Sequence, residues 1–412
     1  MNFKTISVIG LGYIGLPTAA IIASRGVNVI GVDVNQDAVD TINQGQIHIV
    51  EPDLDIIVRS VVQTGNLKAT ITPEPADAFM IAVPTPFKEN HEPDLSYIES
   101  AAKAIAPVLE KGNLLVLEST SPVGATEKLA AWLAQARPDL SFPLNGAENT
   151  DINVAYCPER VLPGYVLQEL VSNDRVVGGL SQACAEKAVS LYEVFVKGDC
   201  LITNARTAEM AKLTENSFRD VNIAFANELS IICETLHINV WELIKLSNRH
   251  PRVNILNPGP GVGGHCIAVD PWFIVSSDPE NAKIIRTARE VNDGKPHHVV
   301  DSVKKAADRF KAPVIACLGL SFKADIDDMR ESPAVEIVKE LAQSNLGELL
   351  VVEPNVKTLP TGLEGKVSKV ELNDALEQSD ILLLLVDHKE FKKIPSERLH
   401  GCVTIDTRGI WG

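Results

Sequence analysis

Short apolar, β-branched runs alternate with longer amphipathic stretches through the first half of the chain. The runs are Ile6-Ser-Val-Ile9, Val27-Asn-Val-Ile-Gly-Val32, Phe79-Met-Ile-Ala-Val83, Leu114-Leu-Val-Leu117 and Val154-Ala-Tyr156. Strand-length runs separated by helix-length stretches predict βαβ units and a parallel sheet, here over residues 1–204. The Pro-, Asn- and Gly-rich stretch from Pro143 to Asp151 reads as a loop within it. Residues 205–310 have a helical pattern, and Thr207 to Leu236 contains no Gly or Pro, which predicts one long helix. A segment rich in Asn, Pro and Gly follows from Asn254 to Gly264. Residues 311–412 return to alternation, with Val314-Ile-Ala-Cys-Leu-Gly319, Leu349-Leu-Val-Val352, Ile381-Leu-Leu-Leu-Leu-Val386 and Val403-Thr-Ile-Asp406. The expected architecture is α/β, with two open-sheet domains joined by a helical central domain.

Composition narrows the class. A chain of 412 residues is too long for one ordinary core, so several domains are expected. No apolar run reaches the roughly 18 residues of a membrane span. The first residues lead directly into a strand-like run, without the pattern of a secretory leader. Seven cysteines, odd in number and irregular in spacing, suggest neither a disulfide framework nor a metal site, and a reducing cytoplasm is expected. A net charge of −16 argues against nucleic acid. An anionic small molecule would require a local cluster of Arg and Lys.

Gly10-Leu-Gly12-Tyr13-Ile14-Gly15 follows the first strand and opens a helix, while Asp33 ends the second strand. In a dinucleotide fold such glycines allow a tight turn, approach of a pyrophosphate and helix packing, and the acid meets the adenine ribose. A carboxylate there repels a 2′-phosphate, so NAD is expected rather than NADP. Both open-sheet domains are expected to be Rossmann-like, although the segment after Val314-Ile-Ala-Cys-Leu-Gly319 is not a glycine fingerprint. Thr85, Thr120 and Thr126 lie in or just beyond Pro-containing loops at strand ends, where ligands bind in open sheets; rigid turns with surface threonines are the other reading.

On the long helix, Lys212, Asn216 and Arg219 share one face, after Glu209. A solvated stripe would look the same, but the flanking residues are apolar. Gly259-Pro-Gly261-Val-Gly263-Gly264-His265-Cys266 places four glycines within six residues, just before one cysteine. Such a loop can aim N–H groups at an anion or oxyanion. Asp270-Pro271 reads as the cap and first residue of a helix, and a thiol just ahead of a helix start suits a nucleophile. A structural cysteine beside a flexible loop is the alternative. His265 is given no role, since neighbouring residues in an extended segment face opposite ways. Lys323, Arg330 and Arg408 lie beyond strand ends in the last region, within reach of phosphates.

Four stretches, taken together and in order, resemble the UDP-glucose/UDP-N-acetylhexosamine 6-dehydrogenase family over the whole chain. They are Cys157-Pro-Glu-Arg-Val-Leu-Pro-Gly164, Ala208-Glu-Met-Ala-Lys212-Leu-Thr-Glu-Asn216-Ser-Phe-Arg219, Gly261-Val-Gly-Gly-His-Cys266-Ile-Ala-Val-Asp270, and Lys323 through Arg330-Glu-Ser-Pro333. The resemblance implies two successive oxidations at C6 of a UDP-sugar with two NAD, through a thiohemiacetal and a thioester on Cys266, in bacterial surface-polysaccharide synthesis. It implies Lys212 as proton donor and acceptor, Asn216 beside it, and Asp270, Glu159 and Thr120 in placing or activating water. Substrate contacts would come from Arg160, Val161, Lys212, Asn216, Arg219, His250, Arg252, Gly263, Lys323 and Arg408. NAD contacts would come from Gly10, Gly12, Tyr13, Ile14, Gly15, Asp33, Thr85, Thr126 and Arg330. Pro163 and Val269 depart from the UDP-glucose branch and favour N-acetylated sugars. The helical middle is the family's dimerisation element, so a homodimer is expected. The competing readings are a UDP-N-acetylglucosamine or UDP-glucose 6-dehydrogenase, and a non-catalytic sensor of NAD or nucleotide sugar.

Overall fold

The β-branched runs form strands β1 (Thr5–Ile9), β2 (Asn28–Val32), β3 (Leu67–Thr70), β4 (Ala78–Ile81), β5 (Leu114–Leu117), β6 (Asn153–Tyr156), β7 (Arg175–Gly179) and β8 (Cys200–Asn204). They lie in one sheet in the order β3-β2-β1-β4-β5-β6-β7-β8, and every pairing is parallel except that of β6 with β7. All four residues of β4 and of β5 are buried, as expected of strands covered on both faces. One face packs on helices α1 (Gly15–Ser24), α2 (Gln36–Asn43) and α3 (Leu54–Gln63). The other packs on α4 (Ser96–Ile105) and α5 (Ala125–Ala136). Helices α6 (Val166–Ser172) and α7 (Gln182–Tyr192) complete this part.

The computed structural model describes residues 3–162, 164–264, 266–356 and 358–411. Pro163 and His265, named in the sequence reading, lie outside the described residues. The chain divides into two compact units, Met1–Glu215 and Asn216–Gly412, and the boundary falls inside α8 (Ala205–Leu236), the long helix expected from Thr207 to Leu236.

The second unit continues with α9 (Val240–Ser247), α10 (Asp270–Ser277) and α11 (Lys283–Ala307). Its sheet comprises β9 (Val314–Leu318), β10 (Glu348–Val352), β11 (Ser368–Lys369), β12 (Ile381–Leu384) and β13 (Val403–Asp406), all parallel, in the order β11-β10-β9-β12-β13. Helices α12 (Pro333–Ser344) and α13 (Leu372–Gln378) flank it. Both expected open sheets are thus present, each reversing strand direction of growth at its first strand, where ligands bind in such folds. One detail differs from the sequence reading. Helix α10 starts at Asp270 itself, with Val269 as its cap, so Asp270 is the first helical residue and Pro271 the second.

Candidate active site

The turn after β1 assigns its three glycines distinct tasks. Gly10 has φ +90°, and a Cβ there would lie 2.6 Å from the Ala82 carbonyl oxygen. A Cβ on Gly15 would lie 1.7 Å from the Gly10 carbonyl oxygen, so the helix start and the turn touch. A Cβ on Gly12 would meet nothing within 4 Å, leaving open space above the turn. Helix α1 starts here without a side-chain cap. Open space beside an uncapped helix start suits a pyrophosphate. Tyr13 is exposed and Ile14 half-buried at the same turn. Asp33 accepts the Leu11 N–H at 2.8 Å and the Asn35 N–H at 2.9 Å, so this acid braces the glycine turn. The residues therefore fit a dinucleotide.

Neighbouring strands β4, β5 and β6 carry the next loops. The Thr85 hydroxyl donates to the Thr120 carbonyl, joining two of them. Thr126 is fully buried, and its hydroxyl and N–H both donate to Glu209, at 2.6 and 2.8 Å. Glu209 also accepts the Gly124 N–H at 2.6 Å, so a carboxylate from α8 caps α5. Past β6, Glu159 is buried in an ion pair with Arg175, and it accepts the Arg160 N–H at 2.8 Å. The Arg160 guanidinium bonds Glu215 at 2.8 Å and the Asp174 carbonyl at 2.5 Å. Val161 is half-buried. Lys212 is buried on α8, one helical turn before Asn216.

In the second unit, the Asn216 amide donates to Asp270, which is buried at the start of α10. Cys266 is exposed, and its carbonyl accepts the Asp270 N–H at 2.9 Å, so the thiol-bearing residue forms the turn that leads into α10. The glycine loop ahead of it is fixed by close packing. A Cβ on Gly263 would lie 2.5 Å from the Glu331 carbonyl oxygen and 2.7 Å from Pro333. The loop's first N–H, on Gly259, donates to Asn227 at 2.9 Å. Asn227 donates to Asn292 at 2.8 Å, Asn292 to Asp220 at 2.8 Å, and Arg289 to Asp220 at 2.6 Å. All four of these side chains are buried.

The loop shares a cleft with the expected cations. Pro260, Gly261, Lys323, Pro333 and Arg408 are among its walls. Arg408 is held by Asp387 through Nε at 3.0 Å and Nη2 at 2.8 Å. Of the cations expected to meet an anionic ligand, Lys323 and Arg408 line this cleft. Arg219, His250 and Arg252 are exposed and outside that cleft. Arg330 is exposed and paired with Asp328.

Sequence reasoning missed Arg175, which holds Glu159, and Asn227, which holds the loop. It also missed the cap that Glu209 provides. These partners lie 16, 32 and up to 85 residues from the groups they serve, beyond any local spacing signal.

Models of the UDP-glucose/GDP-mannose dehydrogenase family match nearly the whole chain: the NAD binding domain at residues 4–196, the central domain at 206–294 and the UDP binding domain at 316–412. The chain is 67% identical to the NDP-N-acetyl-D-galactosaminuronic acid dehydrogenase of Ralstonia nicotianae, covering 100% of this chain and 97% of that protein. It is 62% identical to the UDP-N-acetyl-D-mannosamine dehydrogenase of Escherichia coli strain K12, covering all of both. The solved UDP-D-ManNAc dehydrogenase of Pyrococcus horikoshii superposes with a TM-score of 0.88 at 39% identity, covering 98% of this chain and 96% of that one.

Proposed function

The chain belongs to the UDP-glucose/GDP-mannose dehydrogenase family of NAD-dependent nucleotide-sugar dehydrogenases, and on that premise we propose that it oxidises UDP-N-acetyl-D-mannosamine at C6 to the uronate. The observation that carries this reading is the setting of Cys266, an exposed thiol ahead of α10 on a glycine loop, with Asn216 bonded to Asp270 in the first turn of that helix. The product is a building block of the kind that bacterial surface polysaccharides use.

The Gly10–Gly15 turn, Asp33 and the Thr85, Thr126 and Arg330 positions would hold NAD, which would supply the hydride acceptor for both oxidations. Lys212 takes the alcohol proton as the aldehyde forms. The Cys266 thiol adds across the aldehyde C=O to give a thiohemiacetal, whose remaining C–H hydrogen can leave as hydride in the second oxidation. Glycine-loop N–H groups and Lys212 stabilise the oxyanions. Water placed by Asp270, Glu159 and Thr120 cleaves the thioester and frees the thiol. Arg160, Val161, Arg219, His250, Arg252, Gly263, Lys323 and Arg408 hold the UDP-sugar.

Replacing Cys266 by Ser tests the covalent step. Uronate formation from UDP-N-acetyl-D-mannosamine is expected to fall at least about 100-fold, because the hydroxyl is a far weaker nucleophile. Turnover to the uronate at the unaltered rate sinks the thioester.

A second reading, oxidation of a UDP-N-acetyl-D-galactosamine-type sugar, is favoured by the 67% identity to the Ralstonia protein. Parallel kcat/KM measurements with the manno, galacto and gluco N-acetylated UDP-sugars and UDP-glucose separate these. A homodimer is supported by Phe218, Phe225 and Ile232, exposed at seven-residue spacing along α8. Among the described residues no helix is long and apolar enough to cross a membrane. The seven cysteines form no disulfide, which supports the reading of a reducing cytoplasm.

A further inference from the structure

The second sheet repeats the device by which Asp33 grips the glycine turn. Glu353 follows β10 and is buried; its Oε2 accepts the N–H groups of Leu320 at 2.7 Å and Ser321 at 3.1 Å. Its Oε1 accepts the Asn355 N–H at 3.0 Å. The second sheet adds His388, which is fully buried in the loop beyond β12.

The ring of His388 has a different neighbour on each nitrogen. Nδ1 accepts the Asp325 N–H at 2.9 Å and faces the Asn355 amide at 3.1 Å. Nε2 faces Glu353 Oε2 at 3.2 Å and Ser321 Oγ at 3.4 Å. Because Nδ1 accepts a backbone N–H, the ring proton of the neutral imidazole sits on Nε2. Burial pulls the Glu353 carboxyl upward, but hydrogen bonds from His388, Leu320 and Asn355 outweigh it and leave the group below its ordinary value. Glu353 is therefore ionised and takes the Nε2 proton as a hydrogen bond.

These bonds converge on one short loop. Leu320 and Ser321 are fastened to Glu353, and Asp325 to His388. The Ser321 hydroxyl donates to the Lys323 carbonyl at 2.7 Å. Asp325 itself has φ +61°, a conformation that a bonded N–H helps to hold. Its carboxylate accepts the Lys389 N–H at 3.1 Å, so the loop is tied to the His388 segment on both sides. Lys323 sits in the middle of the fastened stretch and projects into the cleft with Arg408.

We infer that His388, held by Glu353 as the Nε2–H tautomer, is a positioning residue that sets the Lys323 loop for the diphosphate of the nucleotide sugar. This rests on the reading of Lys323 as a substrate contact. It adds a residue that touches neither substrate nor cofactor.

The test uses the full-length enzyme with UDP-N-acetyl-D-mannosamine and NAD. His388→Leu removes both ring bonds and should raise KM for the UDP-sugar at least about tenfold, while KM for NAD stays within about twofold. His388→Asn keeps an acceptor near the Nδ1 position and should recover most of that loss. Nitrogen NMR of the histidine-labelled unsubstituted enzyme at neutral pH should show His388 protonated on Nε2 only, a readout independent of whether any variant folds. Equal shifts in both KM values, no shift in either, or a proton on Nδ1 overturn the inference. Lys323→Ala is measured in parallel. If it leaves KM for the UDP-sugar unchanged, the reading of Lys323 falls; if it raises KM and His388→Leu does not, only the role of His388 falls.

Discussion

Behind the loop that carries Thr120, two buried carboxylates have one guanidinium between them. Arg175 is paired with Glu159 and lies 5.6 Å from the centre of the Tyr192 ring. Glu118 receives the Tyr192 hydroxyl at 2.7 Å, while its other oxygen has no hydrogen-bond partner among the described residues. Burial first, and the negative charge of Glu159 second, push the Glu118 carboxyl up to about 7. The folded state therefore holds the Glu118 proton more tightly than the unfolded chain does. Its contribution to stability is fully present below the ordinary carboxylate value of 4.5 and is lost as pH rises toward 7. Glu118→Gln keeps an acceptor for Tyr192 and cannot ionise. Relative to the unsubstituted protein it should be neutral near pH 4.5 and more stable by roughly 3 kcal/mol at pH 8, read by urea unfolding at both values. A difference that does not change with pH would show that Glu118 is already ionised in the folded protein. Glu118 directly follows the Leu114-Leu-Val-Leu117 run, so its place at a strand end was legible in the sequence. Its setting was not, because Tyr192 lies 74 residues away and Arg175 in a strand that the hydrophobic pattern did not reveal.

At the scale of elements, the sequence was most legible where one rule dominated. The absence of Gly and Pro over thirty residues foretold α8, and continuous apolar runs foretold β1, β4, β5, β9 and β12. Strands β3, β7 and β8 escaped for physical reasons. Leu67-Lys-Ala-Thr70 alternates over only four residues, Arg175-Val-Val-Gly-Gly179 ends in two glycines, and Cys200-Leu-Ile-Thr-Asn204 has two exposed apolar residues at its centre. Exposure is also the clue to what α8 does beyond carrying Lys212 and Asn216. Phe218, Phe225 and Ile232 are 71%, 51% and 45% exposed, and a seven-residue spacing keeps them on one side of the helix. Three large apolar groups in one line are costly to leave in water and suit a self-complementary surface. Phe225→Asp should convert a dimer to a monomer in light scattering, with the helical signal retained. A dimer that survives this change at micromolar concentration would move the interface elsewhere.

For the whole molecule, the main legible feature was that the chain builds the same open sheet twice. Both sheets grow to either side of their first strand, with the second and third on one side and the fourth on the other, and in both the acid after the second strand accepts N–H from the turn after the first. The shared device holds different contents: a bare glycine turn in the first sheet, and a Lys323 loop with a buried histidine in the second. The long-range partners that fix each loop were not legible, since a carboxylate or amide in a helix gives no sign of which distant N–H it will meet. The division of labour can be tested at Gly12, where an added side chain would enter open space rather than packed protein. A Gly12→Leu chain should fold as before, because its new Cβ meets nothing within 4 Å. Its side chain would occupy the space expected of the pyrophosphate, so NAD affinity should fall at least about tenfold, or 1.4 kcal/mol. UDP binding, placed in the other sheet, should change by less than about twofold, measured by calorimetry with each nucleotide alone. Undiminished NAD affinity would remove the dinucleotide from the Gly10–Gly15 turn, and an equal loss for UDP would refute the assignment of one nucleotide to each sheet.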